Sequence, residues 1–227
     1  MSEYKISKFE IYKNPYIGLY ISASDKIALV SPVLPEKLIP VIKETLGVEK
    51  LHSTFLASST LTGIYSVLNK KGVIVPEFAE DNEVHKLKHE LGLNVVRISD
   101  PFCAVKNNVT VNDKIAFCNH NIKKHDLDKI RDGLGIEVFP VKIGKVNMVG
   151  SHNLITNVGS LAFNEATDSE MELLRTHIGN TVKTTVNLGV TAIAAGVVAN
   201  SHGALVGSSS SGFELGNIFQ GLSPTTK

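Results

Sequence analysis

The sequence predicts an α/β fold, built as a five-fold pseudo-symmetric ring of strand–strand–helix–strand (ββαβ) repeats. Five glycines recur at intervals of 42 to 45 residues along the 227-residue chain. An amphipathic segment precedes each glycine, and two short apolar runs precede each amphipathic segment. A period of this length is typical of repeat architectures, in which neighbouring units bury each other's apolar faces. The five glycines are Gly47, Gly92, Gly135, Gly179 and Gly221.

The amphipathic segments are predicted to be helices because they combine periodic apolar residues with start and stop signals. Asp81, Asp126 and Asp168 are expected to cap three of them, and Pro35 suits the first turn of another. The trailing glycines suit the left-handed residue that ends a helix. The predicted helices cover residues 35–47, 81–92, 125–135, 168–179 and 211–221.

Each pair of apolar runs predicts a β-hairpin, and a third strand is expected after each trailing glycine. The first strands are expected to open with Gly18, Gly63, Asn108, Gly150 and Gly196. The second strands are expected over 26–31, 72–77, 114–119, 159–164 and 203–208. The third strands are expected over 48–55, 94–100, 137–143 and 181–187. The turns between first and second strands carry Ser24-Asp25, Asn69, Asn112, Asn157 and Asn200.

The two ends of the chain complement each other. The fifth repeat has no third strand after Gly221, whereas residues 4–12 form an unmatched strand-like segment. We expect this segment to complete the fifth repeat and close the ring, because open ends would expose strand edges and apolar faces. No linker interrupts the period, so residues 1–227 are expected to form a single domain. The predicted repeats are 16–60, 61–106, 107–148, 149–194 and 195–222, with strand 4–12 completing the fifth.

Composition narrows the class of protein. The chain is 43% hydrophobic and 20% charged, with a net charge of +1, which indicates a soluble globular protein without a strong field for DNA. The longest apolar run, 188–199, is too short to span a bilayer, and no signal peptide is expected at the N-terminus. With only two cysteines, a disulfide scaffold is not expected and the cytoplasm is the expected location.

Several long stretches resemble one family nearly end to end. They are NPYIGLY (14–20), NNVTVNDKIAFCN (107–119), LGIEVFPVKIG (134–144), VGSHNLITNVGSLAFNE (149–165) and AIAAGVVANSHGALVG (192–207). On these residues the chain resembles the translation initiation factor 6 family, in its archaeal form. The resemblance implies the pentein fold, an α/β-propeller of five such repeats. It also implies a factor without enzymatic activity that binds the joining face of the large ribosomal subunit and blocks premature association with the small subunit.

The resemblance further implies contact with a large-subunit protein, with the sarcin–ricin loop of the ribosomal RNA nearby, and a monomeric factor. The loops at Asn14 and Asn108 match segments implicated in ribosome contact in this family. The asparagine turns are expected to be exposed loop ends on the flat end of the ring, although turn chemistry alone would also explain them. The candidate ribosome-binding residues are Asn14, Asn107, Asn108, Asn112, Asn157 and Asn200.

An enzyme is the main alternative, because relatives with the pentein fold include guanidine-modifying enzymes with a cysteine nucleophile. The last repeat, where such enzymes carry that cysteine, contains none. Cys103 lies between repeats, and Cys118 is interpreted as a small core residue of a strand. His85 and His89 share a helix face, but without the HExxH glutamate a solvated surface pair is favoured over a metal site. A protein-interaction ring with another client is a third possibility.

Two further motifs have simple structural interpretations. Cys118 with His120 and His125 lacks a second paired cysteine and makes a poor zinc pattern. The serine run 208–211 is interpreted as a polar loop whose last serines cap the fifth helix, although such a loop could also present amides to an anion. No phosphate-binding or dinucleotide-binding glycine motif occurs, so no cofactor or metal is expected.

Overall fold

The computed structural model describes residues 3–99 and 101–224, in which five three-stranded sheets and eight α-helices form five similar units. Asp100, the last residue of the predicted strand 94–100, lies outside the described residues. The mixed α/β class and the five-fold repetition predicted from the sequence are confirmed. The period of about 43 residues is therefore the length of one structural unit.

Every sheet has the same topology, with the second strand in the centre, antiparallel to the first strand and parallel to the third. The first strands are β2 (Ile21–Ala23), β5 (Val67–Leu68), β8 (Val109–Val111), β11 (Leu154–Ile155) and β14 (Val197–Ala199). The central strands are β3 (Ile27–Val30), β6 (Gly72–Pro76), β9 (Ile115–Asn119), β12 (Ser160–Phe163) and β15 (Gly203–Gly207). The third strands are β4 (Lys50–Ser53), β7 (Asn94–Ile98), β10 (Glu137–Val141) and β13 (Thr181–Thr184), with β1 (Lys5–Phe9) in the fifth sheet.

The fifth sheet joins the two ends of the chain. Strand β1 pairs in parallel with β15, from Lys5 opposite Gly203 to Phe9 opposite Gly207. The prediction that the N-terminal strand completes the fifth unit is therefore confirmed. This pairing occupies the edge of β15 that would otherwise be open to another strand.

Five long helices alternate with the sheets. They are α1 (Ile39–Leu46), α2 (Asp81–Leu91), α4 (Lys124–Leu134), α6 (Asp168–Ile178) and α8 (Gly212–Leu222). Three one-turn helices immediately precede first strands: α3 (Val105–Asn108), α5 (Val149–His152) and α7 (Ile193–Gly196). A 3₁₀ turn over Ile17–Leu19 precedes β2, and another over Glu36–Leu38 precedes α1. None of the described helices is long and apolar enough to cross a membrane.

The hydrophobic core is divided into five clusters, and each cluster fills the space between two neighbouring sheets beside one long helix. In the second cluster, Ile130 and Leu134 of α4 pack with Val96 of the second sheet and Ala116 of the third. Each helix therefore bridges its own sheet and the preceding one. Because each sheet is covered on both faces, its central strand reads as a continuous apolar run.

The helix starts differ from the prediction. The N-cap residues are Glu80, Lys123 and Thr167, so the prediction that Asp81, Asp126 and Asp168 are the caps is wrong by one to three positions. Asp126 is instead buried in the first turn of α4, where its carboxylate binds the Ser99 hydroxyl and the Lys129 ammonium. The first helix is also shorter than predicted, with Pro35 before a 3₁₀ turn and α1 beginning at Ile39. The cap predicted within the serine run is confirmed, since Ser211 accepts a hydrogen bond from the Glu214 amide.

The prediction that a left-handed glycine ends each long helix is confirmed only in part. Gly47, Gly92 and Gly135 adopt the predicted left-handed conformation after α1, α2 and α4. Gly179 also follows its helix, but with φ 91° and ψ −109° it lies outside the left-handed helical region. The prediction for Gly221 is wrong because this glycine lies inside α8, where it faces Leu161 and the Ser160 carbonyl. Its role is close packing of α8 against β12.

Candidate docking surface

The five units share a central cavity and two ends. The first strands of all five sheets line this cavity, which has a volume of about 60 Å³. The turns between first and second strands meet at one end, here called the turn end. The opposite end, here called the tip end, carries the starts of the first strands and the ends of the second and third strands, because these run in opposite directions.

At the turn end, asparagine side chains connect neighbouring units. The Asn112 amide donates to the Thr156 carbonyl at 2.9 Å, and its oxygen accepts from two amides of its own turn. The Asn200 amide donates to the carbonyls of Ser24 and Leu46 at 2.9 and 2.7 Å. Both side chains are buried. Loss of either amide would leave buried carbonyls without partners, so these residues hold the units together.

Two further turn residues take part in the same network. Asn69 donates to the Leu134 carbonyl at 3.1 Å and is also buried. Asn157, which is partly exposed, donates to the carboxylates of Asp25 and Asp113 at 2.8 and 3.0 Å. The expectation that these turns are exposed loop ends is therefore wrong for Asn69, Asn112 and Asn200. Their amides bind protein groups of the neighbouring unit.

The other three candidate residues lie at the tip end. Asn108 ends α3 and is buried, with its side chain bonded to the Ala104 carbonyl and the Asn119 amide, so it is not an exposed loop residue either. Asn107 and Asn14 are half-buried. The Asn14 oxygen accepts a hydrogen bond from the Tyr16 amide at 2.9 Å, as in an Asx turn. The fold therefore separates the six candidates into two groups of three at opposite ends.

Four tight hairpins of the described chain, here called the tip hairpins, project at the tip end. They span residues 11–14, 56–59, 143–146 and 186–190, and each is closed by an isolated β-bridge. Non-glycine residues adopt positive φ in three of them: Tyr12, Lys13, Ala57, Ser58, Asn187 and Leu188. Side chains rarely adopt this conformation without support, so the surrounding contacts must hold these hairpins in place.

Buried glutamates at the third position of two long helices, α2 and α8, supply that support to two of the hairpins. Glu83 accepts from the amides of Ala57 and Ser58 at 2.7 and 3.0 Å. Glu214 accepts from the amides of Leu188 and Gly189 at 3.2 and 2.9 Å. Each carboxylate also closes the capping box of its own helix. Sequence reasoning missed these residues, although the Ser211-x-x-Glu214 spacing is the signal of a capping box.

The titration of Glu214 reflects this contact. Burial opposes its ionisation, but four hydrogen bonds, including those from the Ser211, Gly189 and Leu188 amides, outweigh burial and lower its pKa from 4.5 to about 2. The carboxylate therefore contributes stability above the ordinary pKa of about 4.5. This contribution is lost as the pH falls toward 2, because the folded state must then take up a proton that the unfolded state already holds.

Glu214→Gln is expected to lower the free energy of unfolding by about 1–3 kcal/mol at pH 7, because charged hydrogen bonds to two hairpin amides are lost. Urea unfolding at pH 7 and at pH 3 measures the effect, and the difference between the variant and the wild type should shrink at the lower pH. Glu172→Gln, at an exposed position of α6, is the control. An equal loss at both pH values would contradict the role given to the carboxylate charge.

The tip end also exposes most of the large hydrophobic side chains that lie on the surface. Leu188 and Tyr12, at two neighbouring tip hairpins, are 75% and 74% exposed. The Asn187 amide donates to the Pro15 carbonyl and so links these two hairpins. The exposed tip-end side chains are Tyr12, Tyr16, Val33, Phe55, Phe78, Met148, Leu188 and Phe213. Exposed hydrophobic side chains gathered at one end of the molecule make that end the candidate docking surface.

Lys106 closes the central cavity near the tip end. Its ammonium donates to the carbonyls of Gly18 and Ile21 at 2.9 and 2.7 Å, across the axis from its own unit. The side chain is half-buried as a whole, but its amine is enclosed, and burial lowers its pKa from 10.5 to about 7. Among the described residues, no other charged side chain lines the cavity. The lysine therefore acts as a polar tie between the first and third units.

The described cysteines and histidines do not assemble into a metal-binding cluster. Cys118 is fully buried in the second cluster, which confirms its interpretation as a core residue, and burial raises its thiol pKa to about 12. A group of three His, Cys, Asp or Glu side chains able to hold a metal is not found within residues 3–99 and 101–224. His85 and His89 stack at 4.0 Å between ring centroids on the exposed side of α2.

The repeated units and the apolar surface at one end define a repeat-built α/β protein that presents loops on a rigid scaffold. The model of the eIF-6 family matches residues 6–221. The chain belongs to this family of translation initiation factors.

Three archaeal relatives illustrate the similarity, and each carries the name translation initiation factor 6. The chain is 34% identical to the protein of Thermococcus onnurineus over 96% of its own length and 97% of the relative. It is 32% identical to that of Thermoplasma acidophilum, with coverage of 96% and 100%. It is 34% identical to that of Methanocaldococcus jannaschii, with coverage of 88% and 90%.

Proposed function

We propose that this protein binds the large ribosomal subunit at its joining face and sterically prevents premature association with the small subunit. Membership of the eIF-6 family carries this proposal. The factor acts by occupying a surface and without catalysing a reaction, in the cytoplasm and as a monomer. Its contact is a large-subunit protein, with the sarcin–ricin loop of the ribosomal RNA nearby.

The architecture that suits this function is a closed five-bladed ring, the pentein form of an α/β-propeller. Residues 1–227 form one domain in this proposal. The pairing of β1 with β15 and the shared cavity support it. A rigid ring favours steric blocking, because loops held on packed units keep their positions when the small subunit approaches.

The tip end is the docking end in this proposal. Eight of the ten large hydrophobic side chains exposed among the described residues lie there. Two of the tip hairpins are also held in fixed positions by buried glutamates, which reduces the entropy lost on binding. Of the six candidate residues, Asn14 and Asn107 are the proposed ribosome contacts. The buried Asn108 supports the same surface from inside the protein. Asn112, Asn157 and Asn200 contribute indirectly, because their hydrogen bonds at the turn end hold neighbouring units together.

Co-sedimentation with purified archaeal large subunits at moderate salt tests the function and the docking end together. Wild-type protein is expected to co-migrate with large subunits and to reduce their joining to small subunits. The double variant Tyr12→Ser, Leu188→Asn is expected to bind at least 10-fold more weakly, because about 2 kcal/mol or more is lost when exposed apolar anchors are truncated. Asn tolerates the positive φ at position 188.

A turn-end variant is the matched control. Lys71→Ala with His202→Ala changes two exposed residues at the opposite end and is expected to bind like the wild type. Wild-type protein that fails to co-migrate would refute the proposed function. Loss of binding in the turn-end variant alone would keep the function but move the docking surface to the other end.

A further inference from the structure

We propose that four lysines of the third unit form a contact surface for the phosphate backbone of RNA at the docking end. This surface, here called the basic sector, consists of Lys123, Lys124, Lys142 and Lys145. The inference rests on the proposed function, because it assigns the RNA-facing part of the same docking end.

Strand pairing brings the two halves of the basic sector together. Strands β9 and β10 are parallel and in register, with Asn119 opposite Val141 at their tip-end edge. The chain leaves β9 toward Lys123 and Lys124 at the start of α4, and leaves β10 toward Lys142 and the tip hairpin that carries Lys145. All four side chains are exposed.

Comparison of the five units shows that lysine at three of these positions, 123, 124 and 142, is specific to one of them. At the cap and first residue of the long helix, the other units carry Glu80-Asp81, Thr167-Asp168 and Ser211-Gly212, while Pro35-Glu36 precede α1. At the residue after the third strand, the other units carry Thr54, Ser99, Thr185 and Glu10. A repeated fold does not require lysine at these positions, because four units form without it.

The position of Lys123 and Lys124 is unfavourable for the helix itself. The start of a helix carries a partial positive charge, and cations placed there destabilise it. Lys123 is the N-cap of α4 and makes no side-chain capping bond, whereas Thr167 and Ser211 cap their helices through side-chain oxygens. Departures from local preference without a structural gain are expected at functional sites.

The four charges are also available to a ligand. None of these lysines forms an ion pair with a carboxylate within residues 3–99 and 101–224. The nearby Asp126 carboxylate is buried and already bound by Ser99 and Lys129, so it does not neutralise the sector. Exposed lysines with flexible stems bind phosphates as point charges, independently of base sequence.

Salt-dependent binding to purified large ribosomal subunits tests the inference. The quadruple variant K123Q/K124Q/K142Q/K145Q is expected to bind about 10-fold to 100-fold more weakly at 0.1 M salt. Its plot of log affinity against log salt is expected to be shallower by about 2 to 4, because each lost phosphate contact removes up to about one unit of slope. The control K43Q/K50Q/K71Q/K88Q removes four exposed lysines that lie toward the turn end and should match the wild type.

The outcomes separate this inference from the proposed function. If wild-type protein does not bind large subunits, the function itself fails. If the wild type binds and the quadruple variant keeps its affinity and slope, the basic sector is not the contact. Weaker binding with an unchanged slope would indicate a protein surface in place of RNA and would overturn the assignment.

A single substitution gives an independent readout. Lys123→Asp supplies a good N-cap and is expected to raise the Tm by about 1–4 °C while weakening subunit binding and reducing the slope. A merely structural role for Lys123 would not combine higher stability with weaker binding. An increase in Tm with unchanged binding would remove Lys123 from the sector.

Discussion

Gly63→Ala is expected to destabilise the protein by more than about 3 kcal/mol and to prevent folding at 37 °C. A Cβ atom at this position would lie against the Gly18 carbonyl oxygen and 2.6 Å from the Ile21 amide nitrogen. Both atoms belong to the backbone of the neighbouring unit, so a rotamer change cannot relieve the contact. The first and second units would have to move apart at the centre of the molecule, where the helical turns before the first strands pack against one another.

Gly216→Ala is the matched control for this prediction. Gly216 lies in the middle of α8, and a Cβ atom added there would have nothing within 4 Å. Alanine is expected to stabilise the helix by about 0.5–1 kcal/mol, because it loses less backbone entropy on folding than glycine does. Urea unfolding of both variants measures the two effects. If Gly63→Ala unfolded at the wild-type urea concentration, close axial packing would not be a requirement of the fold.

The Lys106→Met variant is expected to lose an increase in the free energy of unfolding that the wild type shows between pH 7 and 9. Burial lowers the Lys106 pKa from 10.5 to about 7, so between these values the unfolded chain holds a proton that the folded chain has released. Stability from this group therefore increases with pH above 7, by up to about 1.4 kcal/mol per pH unit. Between pH 7 and 9 the wild type is expected to gain about 1–3 kcal/mol that the variant does not gain.

Denaturant unfolding at pH 7, 8 and 9 measures this difference. The series ends at pH 9 because the buried Cys118 thiol, whose pKa is raised to about 12, lowers stability once the unfolded thiol begins to ionise. Lys114→Met, at an exposed lysine, is the control and should keep the wild-type slope. Parallel slopes for Lys106→Met and the wild type would show that the amine is hydrated in the folded protein.

Local sequence patterns predicted the units well because each unit repeats the same apolar periodicity. The apolar runs located all five central strands, and the unmatched strand 4–12 identified the partner of β15. Helix starts are predicted less accurately, because the aspartates near them point to the wrong residue where Glu80 and Thr167 are the caps. The sequence pattern predicts strand beginnings in place of the one-turn helices α3, α5 and α7, because a single helical turn is too short to show a period.

The candidate site was predicted less well than the fold. Asn112 and Asn200 have the residue type of an exposed turn, but their amides bind carbonyls of neighbouring units. A turn residue that faces solvent and one that faces another turn look the same in sequence. No local sequence pattern points to Lys106 either, because the backbone carbonyls that it binds lie 85 and 88 residues away in the chain.

Local sequence patterns alone specify the number of units, the order of strands and long helices within each, and the strand that completes the fifth. These features follow from hydrophobic periodicity and chain direction, which are properties of neighbouring residues. The three-dimensional packing of the units, in contrast, determines which end of the molecule is polar and internally hydrogen-bonded and which end exposes apolar side chains. That division depends on contacts between units, such as the bond from Asn200 to the Ser24 carbonyl 176 residues away, and such contacts exist only once the units pack against one another.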